Sequence, residues 1–144
     1  MVPSELRGTF GGVSTFAEGK SRQALMDKGL FGPHSVYVCG TPIINSQTQI
    51  ITLACSSENL LANAYRQQFA GLPRLVCVDA THRLVLEGHC NLLFGTVDAS
   101  QKFHIIGYGV CSKEDTAAHV HILRCLKTEV ERVVAMHQEH QTLI

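Results

Sequence analysis

The segment Leu75-Val76-Cys77-Val78-Asp79 constrains the fold of this chain more than any other. Four apolar residues in a row, bounded by Arg74 and Asp79, read as a strand covered on both faces. A carboxylate at the end of such a strand is costly to leave dry. Asp79 is therefore expected at a polar opening, a hydrogen-bond donor or a cation. After Ala80-Thr81-His82, the stretches His89 to Asp98 and Phe103 to Cys111 read as two further strands. Ala99-Ser100-Gln101 is a short hairpin connection between them. A helix from Glu114 to His137 follows, with Ile122, Leu126, Val130, Val133 and Val134 at helical spacing. Ser112 with Asp115 fits a capping box, and Glu114 adds charge at the helix's positive end. Gly107 and Gly109 alternate, so they share one face of their strand and admit the close approach of another backbone or a bend. Sequential strands with short connections predict an antiparallel meander over 74–81, 89–98 and 102–111, with the helix on one face.

Upstream, Ser35 to Cys39 and Gln49 to Cys55 are rich in Val, Ile and Thr and read as strands. Gly40-Thr41-Pro42 and Asn45-Ser46-Gln47 supply turn chemistry between them. Ser56 or Ser57 can cap a helix from Glu58 to Ala70, which Gly71-Leu72-Pro73 then breaks. Glu87-Gly88 marks a turn. Residues 1–34 hold Gly11-Gly12, Gly29, Gly32 and Pro33 as breakers, and a short helix from Ser21 to Lys28 is the one element expected there. The expected organisation is a poorly structured segment 1–34 and one α+β domain over 35–144.

Val78-Asp79-Ala80-Thr81-His82 resembles the Asp-x-Thr motif on the first catalytic strand of Mutator-like element (MULE) transposases. The family's hydrophobic hairpin has counterparts in Leu92-Leu93-Phe94-Gly95-Thr96-Val97-Asp98 and Ile105-Ile106-Gly107-Tyr108-Gly109-Val110. Ser112-Lys113-Glu114-Asp115-Thr116 matches its acidic stretch opening a helix. Ile50-Ile51-Thr52-Leu53 and then Glu58 to Phe69 match its lead-in strand and helix. The likeness runs from residue 50 to 137 and rests on the pattern of segments. It implies a partial ribonuclease-H-like fold: a three-stranded antiparallel meander plus helix, with an N-terminal strand and helix extension. It also implies that Asp79 is a catalytic residue and a ligand of Mg²⁺ or Mn²⁺, used for DNA cleavage and strand transfer.

Two divalent cations about 4 Å apart need several carboxylates. The family supplies a second Asp on a fourth strand and a third acid on a later helix, and neither lies within these 144 residues. Glu114 reads as helix N-terminal charge and Asp98 as turn chemistry. The expectation is a truncated or degenerate transposase fragment, inactive alone and holding no metal tightly. In the implied fold the first strand is central, between the second and the fourth. With no fourth strand, either a strand from 35–55 fills the vacant edge of the Asp79 strand, the favoured outcome, or the edge stays open and invites self-association. The alternative reading is a small non-catalytic α+β protein-interaction module in which Asp79 is incidental.

Composition narrows the remaining classes. Apolar residues make up 45% and charged residues 17%, as in globular chains. The formal net charge is zero, so DNA, the partner the resemblance implies, meets no electrostatic footprint. No apolar run spans a bilayer and the N-terminus has no secretory apolar core, so no membrane partner is expected. The expected location is intracellular, and nuclear for a transposase. The six cysteines at 39, 55, 77, 90, 111 and 125 form no Cys-x-x-Cys pair and read as reduced. His119 and His121 point to different helix faces, while His137 and His140 lie near a fraying end, so zinc has no support. No phosphate-binding glycine motif is present.

Overall fold

Asn45 closes the first hairpin through its side chain, whose Oδ1 accepts from the Gln47 and Thr48 amides at 3.0 and 3.2 Å. That Asx turn joins β1 (Tyr37–Asn45) to β2 (Ile50–Ser56). The computed structural model describes residues 17–48, 50–69, 76–81, 90–113 and 115–142. For 67–69, 76–81 and 140–142 the description is of the backbone alone. The expectations placed on residues 1–16, Gln49, 70–75, 82–89 and Glu114 lie outside the described residues.

Gly40-Thr41-Pro42, expected as a turn, lies inside β1 and forms an irregularity of its pairing between Cys39 and Ile43. Gly40 sits there at a φ of 65°, and a Cβ on it would be 2.7 Å from the Cys125 sulfur. Both the dihedral and the space call for glycine. Pro42 is tolerated because β1 is an edge strand.

Helix α1 (Arg22–Asp27) precedes the hairpin, capped by the Ser21 hydroxyl, which accepts from the Ala24 amide. It buries Leu25 in the same core as Tyr37. Helix α2 (Glu58–Phe69) follows β2, and its cap is Ser57, which accepts from the Leu60 amide at 3.3 Å. Ser56 instead donates its hydroxyl to the Ile106 carbonyl.

The three later strands are β3 (Val76–Thr81), β4 (Cys90–Val97) and β5 (Phe103–Cys111). They form the expected antiparallel meander, with Val76 opposite Thr96 and Leu92 opposite Gly109. A bulge interrupts β4–β5 where Phe94 faces Gly107 and Gly95 faces Ile105, leaving Ile106 extra. The carbonyls at this bulge are taken by Ser56 and by the Asn63 side-chain amide, which donates to Ile105 at 2.8 Å. The bulge thereby seats α2.

Helix α3 (Thr116–Thr142) runs past the expected end at His137. Its cap is Asp115, whose Oδ1 accepts from the Ala118 amide at 2.9 Å. Ser112, expected in a capping box, accepts from the Ile51 amide instead and ties β2 to the end of β5. The helix lays Ala118, Ile122, Cys125, Leu126 and Val133 into the principal core. Gly107 admits the Leu126 side chain and the backbone carbonyl of Cys55, the close backbone approach expected there, while Gly109 admits the Ile122 side chain.

The result is an α+β fold with one five-stranded antiparallel sheet, in the order β1-β2-β5-β4-β3. This corrects the favoured placement of the N-terminal strands. The β1–β2 hairpin does not fill the edge beside β3. It adds to the far side, where Thr52 to Cys55 pair with Cys111 to Tyr108. That position lets β2 gain both the β5 ladder and the cover of α3. Among the described residues β3 has one neighbour, β4, and forms the other edge.

Candidate functional site

Asp79 is the fourth of six residues in β3, not its end, because Ala80 and Thr81 continue the ladder opposite Leu92 and Asn91. Its register partner is Leu93. Leu93 in turn faces Tyr108, Tyr108 faces Cys55 and Cys55 faces Val38. Asp79 therefore stands at the outer end of a row that crosses the whole sheet. Val38 and Cys55 of that row, with Tyr108 against them, belong to a second core cluster with Ala17, Ile51 and Leu53. Ala80 begins the adjacent row, Leu92, Gly109, Ala54 and Cys39, and its members Leu92, Ala54 and Cys39 lie in the principal core beneath the helices.

Burial, and next the charge of a Cys55 thiolate, push the Tyr108 hydroxyl up to about 12. Burial likewise pushes the Cys55 thiol up to about 11, while a hydrogen bond with Tyr108 opposes the shift. Both groups are neutral near pH 7, so the described part of this row brings no charge toward Asp79.

The other acids named from the sequence lie elsewhere. Asp98 is five residues along from Leu93, about 17 Å at strand rise. Its Oδ1 accepts from the Ser100 and Lys102 amides at 2.8 and 3.0 Å, and its Oδ2 meets His104 Nε2 at 2.8 Å. Asp98 is the closing residue of the hairpin, as its sequence position suggests. Among the described residues no three His, Cys, Asp or Glu side chains are gathered where they could hold a metal ion. His119 lies edge-on to Phe94, and His137 stacks on Tyr65 with ring centres 4.4 Å apart.

His121 and Cys125 do meet, with Nε2 3.6 Å from Sγ. The same Nε2 lies 2.9 Å from the Thr41 carbonyl oxygen, which can only accept. Nε2 therefore carries the hydrogen, and it cannot also take a proton from the thiol. Burial raises the Cys125 pKa further. This pair is a strut between α3 and the β1 irregularity, not an activated nucleophile.

The largest charged cluster among the described residues was not visible in the sequence. Arg132 Nε donates to Glu129 at 2.9 Å, and its Nη2 donates to Tyr37 Oη at 3.0 Å and to Glu58. Tyr37 Oη lies 3.1 Å from Glu129 and 3.3 Å from Glu58. Arg22 Nε adds a cation 3.6 Å from Glu58, and its guanidinium covers the Phe31 ring. Burial disfavours the Arg132 charge, but the hydrogen bonds it donates to Glu58 and then Glu129 outweigh it and hold the guanidinium charged. Tyr37 is kept protonated by burial and by the neighbouring Glu129. Two carboxylates and two guanidinium groups balance, so the cluster clasps α1, β1, α2 and α3 together without surplus charge. The (i, i+3) spacing of Glu129 and Arg132 was its one signal in the sequence.

No helix among the described residues is long and apolar enough to cross a membrane. No protein-family model matches this chain, and neither does any curated protein or solved structure.

Proposed function

We propose that these 144 residues are the N-terminal part of a MULE-type transposase core, with Asp79 as one ligand for Mg²⁺ or Mn²⁺. The observation that supports this reading is the order of parts: a strand bearing Asp79-Ala80-Thr81, two antiparallel strands beside it, then a long capped helix. The unpaired outer side of β3 among the described residues suits a fold whose first strand takes a further neighbour. In the complete arrangement Asp79 would hold a divalent cation together with acids from elsewhere in the protein, and the cation would supply activation of the attacking oxygen. One carboxylate does not clamp two cations, so these residues alone do not cleave DNA. DNA is the partner of the whole protein and the nucleus its place of action. Self-association through β3 is the behaviour proposed for the isolated chain.

A second reading, a non-catalytic α+β interaction module, is favoured by the neighbours of Asp79. Leu93 and Tyr108 follow it in register, and neither offers a charge. The in-frame DNA downstream of codon 144 separates the two. A strand-like segment ending in Asp, followed by a helix bearing an acid, is expected for the transposase. Its absence, together with unchanged Mn²⁺ binding in Asp79→Asn, would leave only the interaction module.

A further inference from the structure

Cys90, the first residue of β4, stands directly opposite Cys111, the last residue of β5. Both are buried, at 9% and 0% exposed. The Cys111 sulfur lies 3.9 Å from the Cys90 carbonyl oxygen, so it leans toward the partner strand. Opposed residues of an antiparallel pair hold their Cα atoms roughly 4.5–5.5 Å apart. A disulfide bridges Cα atoms about 4.4–6.8 Å apart. The other described strand cysteines lack such an opposite number: Cys39 faces Ala54, Cys55 faces Val38 and Tyr108, and Cys77 faces Gly95.

We propose that Cys90 and Cys111 form a reversible cross-strand disulfide when the folded chain meets hydrogen peroxide. Cys90 is the entry point, being the more exposed of the two. Its thiolate attacks one peroxide oxygen, the O–O bond breaks, and Cys90 becomes a sulfenic acid as hydroxide leaves. The Cys111 thiolate then attacks the Cys90 sulfur. The S–S bond forms, the S–O bond breaks, and the second oxygen leaves as hydroxide. The two hydroxides take up the two thiol protons. The thiols lose two electrons and two protons in all, and peroxide becomes two waters. The bridge would lock the meander one residue before Asn91, the register partner of Thr81 in the Asp79-Ala80-Thr81 stretch.

Thiol mapping of the full chain tests this. The folded protein is treated with hydrogen peroxide, then unfolded and alkylated with N-ethylmaleimide before intact-mass and peptide analysis. The expected result is alkylation of four of the six cysteines, one linked peptide joining Cys90 to Cys111, and recovery of all six after dithiothreitol. In Cys111→Ala, dimedone should trap a sulfenic acid on Cys90. Circular dichroism of the variant shows whether it folds, and the wild-type map decides the matter if it does not. A different linked pair overturns the proposal. So does survival of both thiols in the folded chain, or a sulfinic acid on Cys90 beside an intact Cys111 thiol.

Discussion

Ser112 and Ile51 are joined twice: the Ser112 amide donates to the Ile51 carbonyl, and the Ser112 hydroxyl accepts from the Ile51 amide, each at 2.9 Å. The second bond stands in for a backbone acceptor just past the end of β5. It carries the β2–β5 ladder beyond Cys111 and fixes where the N-terminal hairpin docks.

Ser112→Ala should therefore lower stability by about 1 kcal/mol, the net worth of one such bond. Chemical denaturation measures it. Amide exchange of Ile51 should also quicken in the variant, while that of Leu92 in β4 stays close to wild type. Equal acceleration at both sites would mean that the hydroxyl does not act locally.

Arg132→Met should be more harmful than its exposure suggests. It leaves Glu58 and Glu129 facing each other across Tyr37 with Arg22 as the remaining cation. About 2 kcal/mol of lost stability is expected, between the values for exposed and fully buried pairs. Tyr37→Phe removes only the hydroxyl, and about 1 kcal/mol is expected. The double variant should lose less than the sum, because both substitutions act on one network. Strict additivity in urea melts would refute the clasp.

Gly109→Ala tests the fit of α3 on the sheet. A Cβ there would collide with the Ile122 side chain. A loss of about 1–3 kcal/mol is expected from overpacking. Ile122→Val in the same chain should restore part of it by clearing room. If the second substitution only adds damage, the strain lies elsewhere.

Asp98 makes the hairpin sensitive to acid. The His104 hydrogen bond first, and the Lys102 amide next, hold its carboxyl below the ordinary 3.8. A carboxyl depressed in the folded chain contributes stability above its unfolded value and loses it as the pH falls through the lower folded value. The Tm difference between wild type and Asp98→Asn should thus be full above about pH 4 and shrink below it. A difference that persists unchanged at pH 2 would exclude the carboxylate as its source.

The elements legible in the sequence were those with a local code. The meander followed from three apolar runs with short connections, Asp98 from its turn position, and the α3 stripe from helical spacing. What escaped depended on partners distant in the chain. Ser112 has the sequence context of a cap, yet an amide 61 residues away claims its hydroxyl. Gly40-Thr41-Pro42 has turn chemistry, yet the pairing of Tyr37–Cys39 and Ile43–Asn45 with β2 on either side holds it within a strand. Arg132 reaches Tyr37 across 95 positions, which no local pattern encodes. The edge that β1 and β2 join was invisible for the same reason, since either side of the meander offers the same backbone groups.

The strand order also bears on how the chain finds its fold. Each meander strand pairs with its successor, whereas Thr52 must find Cys111, fifty-nine residues on. Loop closure of that length is entropically dearer than closing a hairpin, so the three later strands should nucleate and the N-terminal hairpin condense onto β5 afterwards. Leu92→Ala should then slow refolding, while Leu53→Ala should chiefly hasten unfolding, and a φ-value for Leu53 matching that of Leu92 would reject this order. On this order the strand that carries Asp79 would belong to the unit that organises first, and the hairpin would be a late-arriving wall.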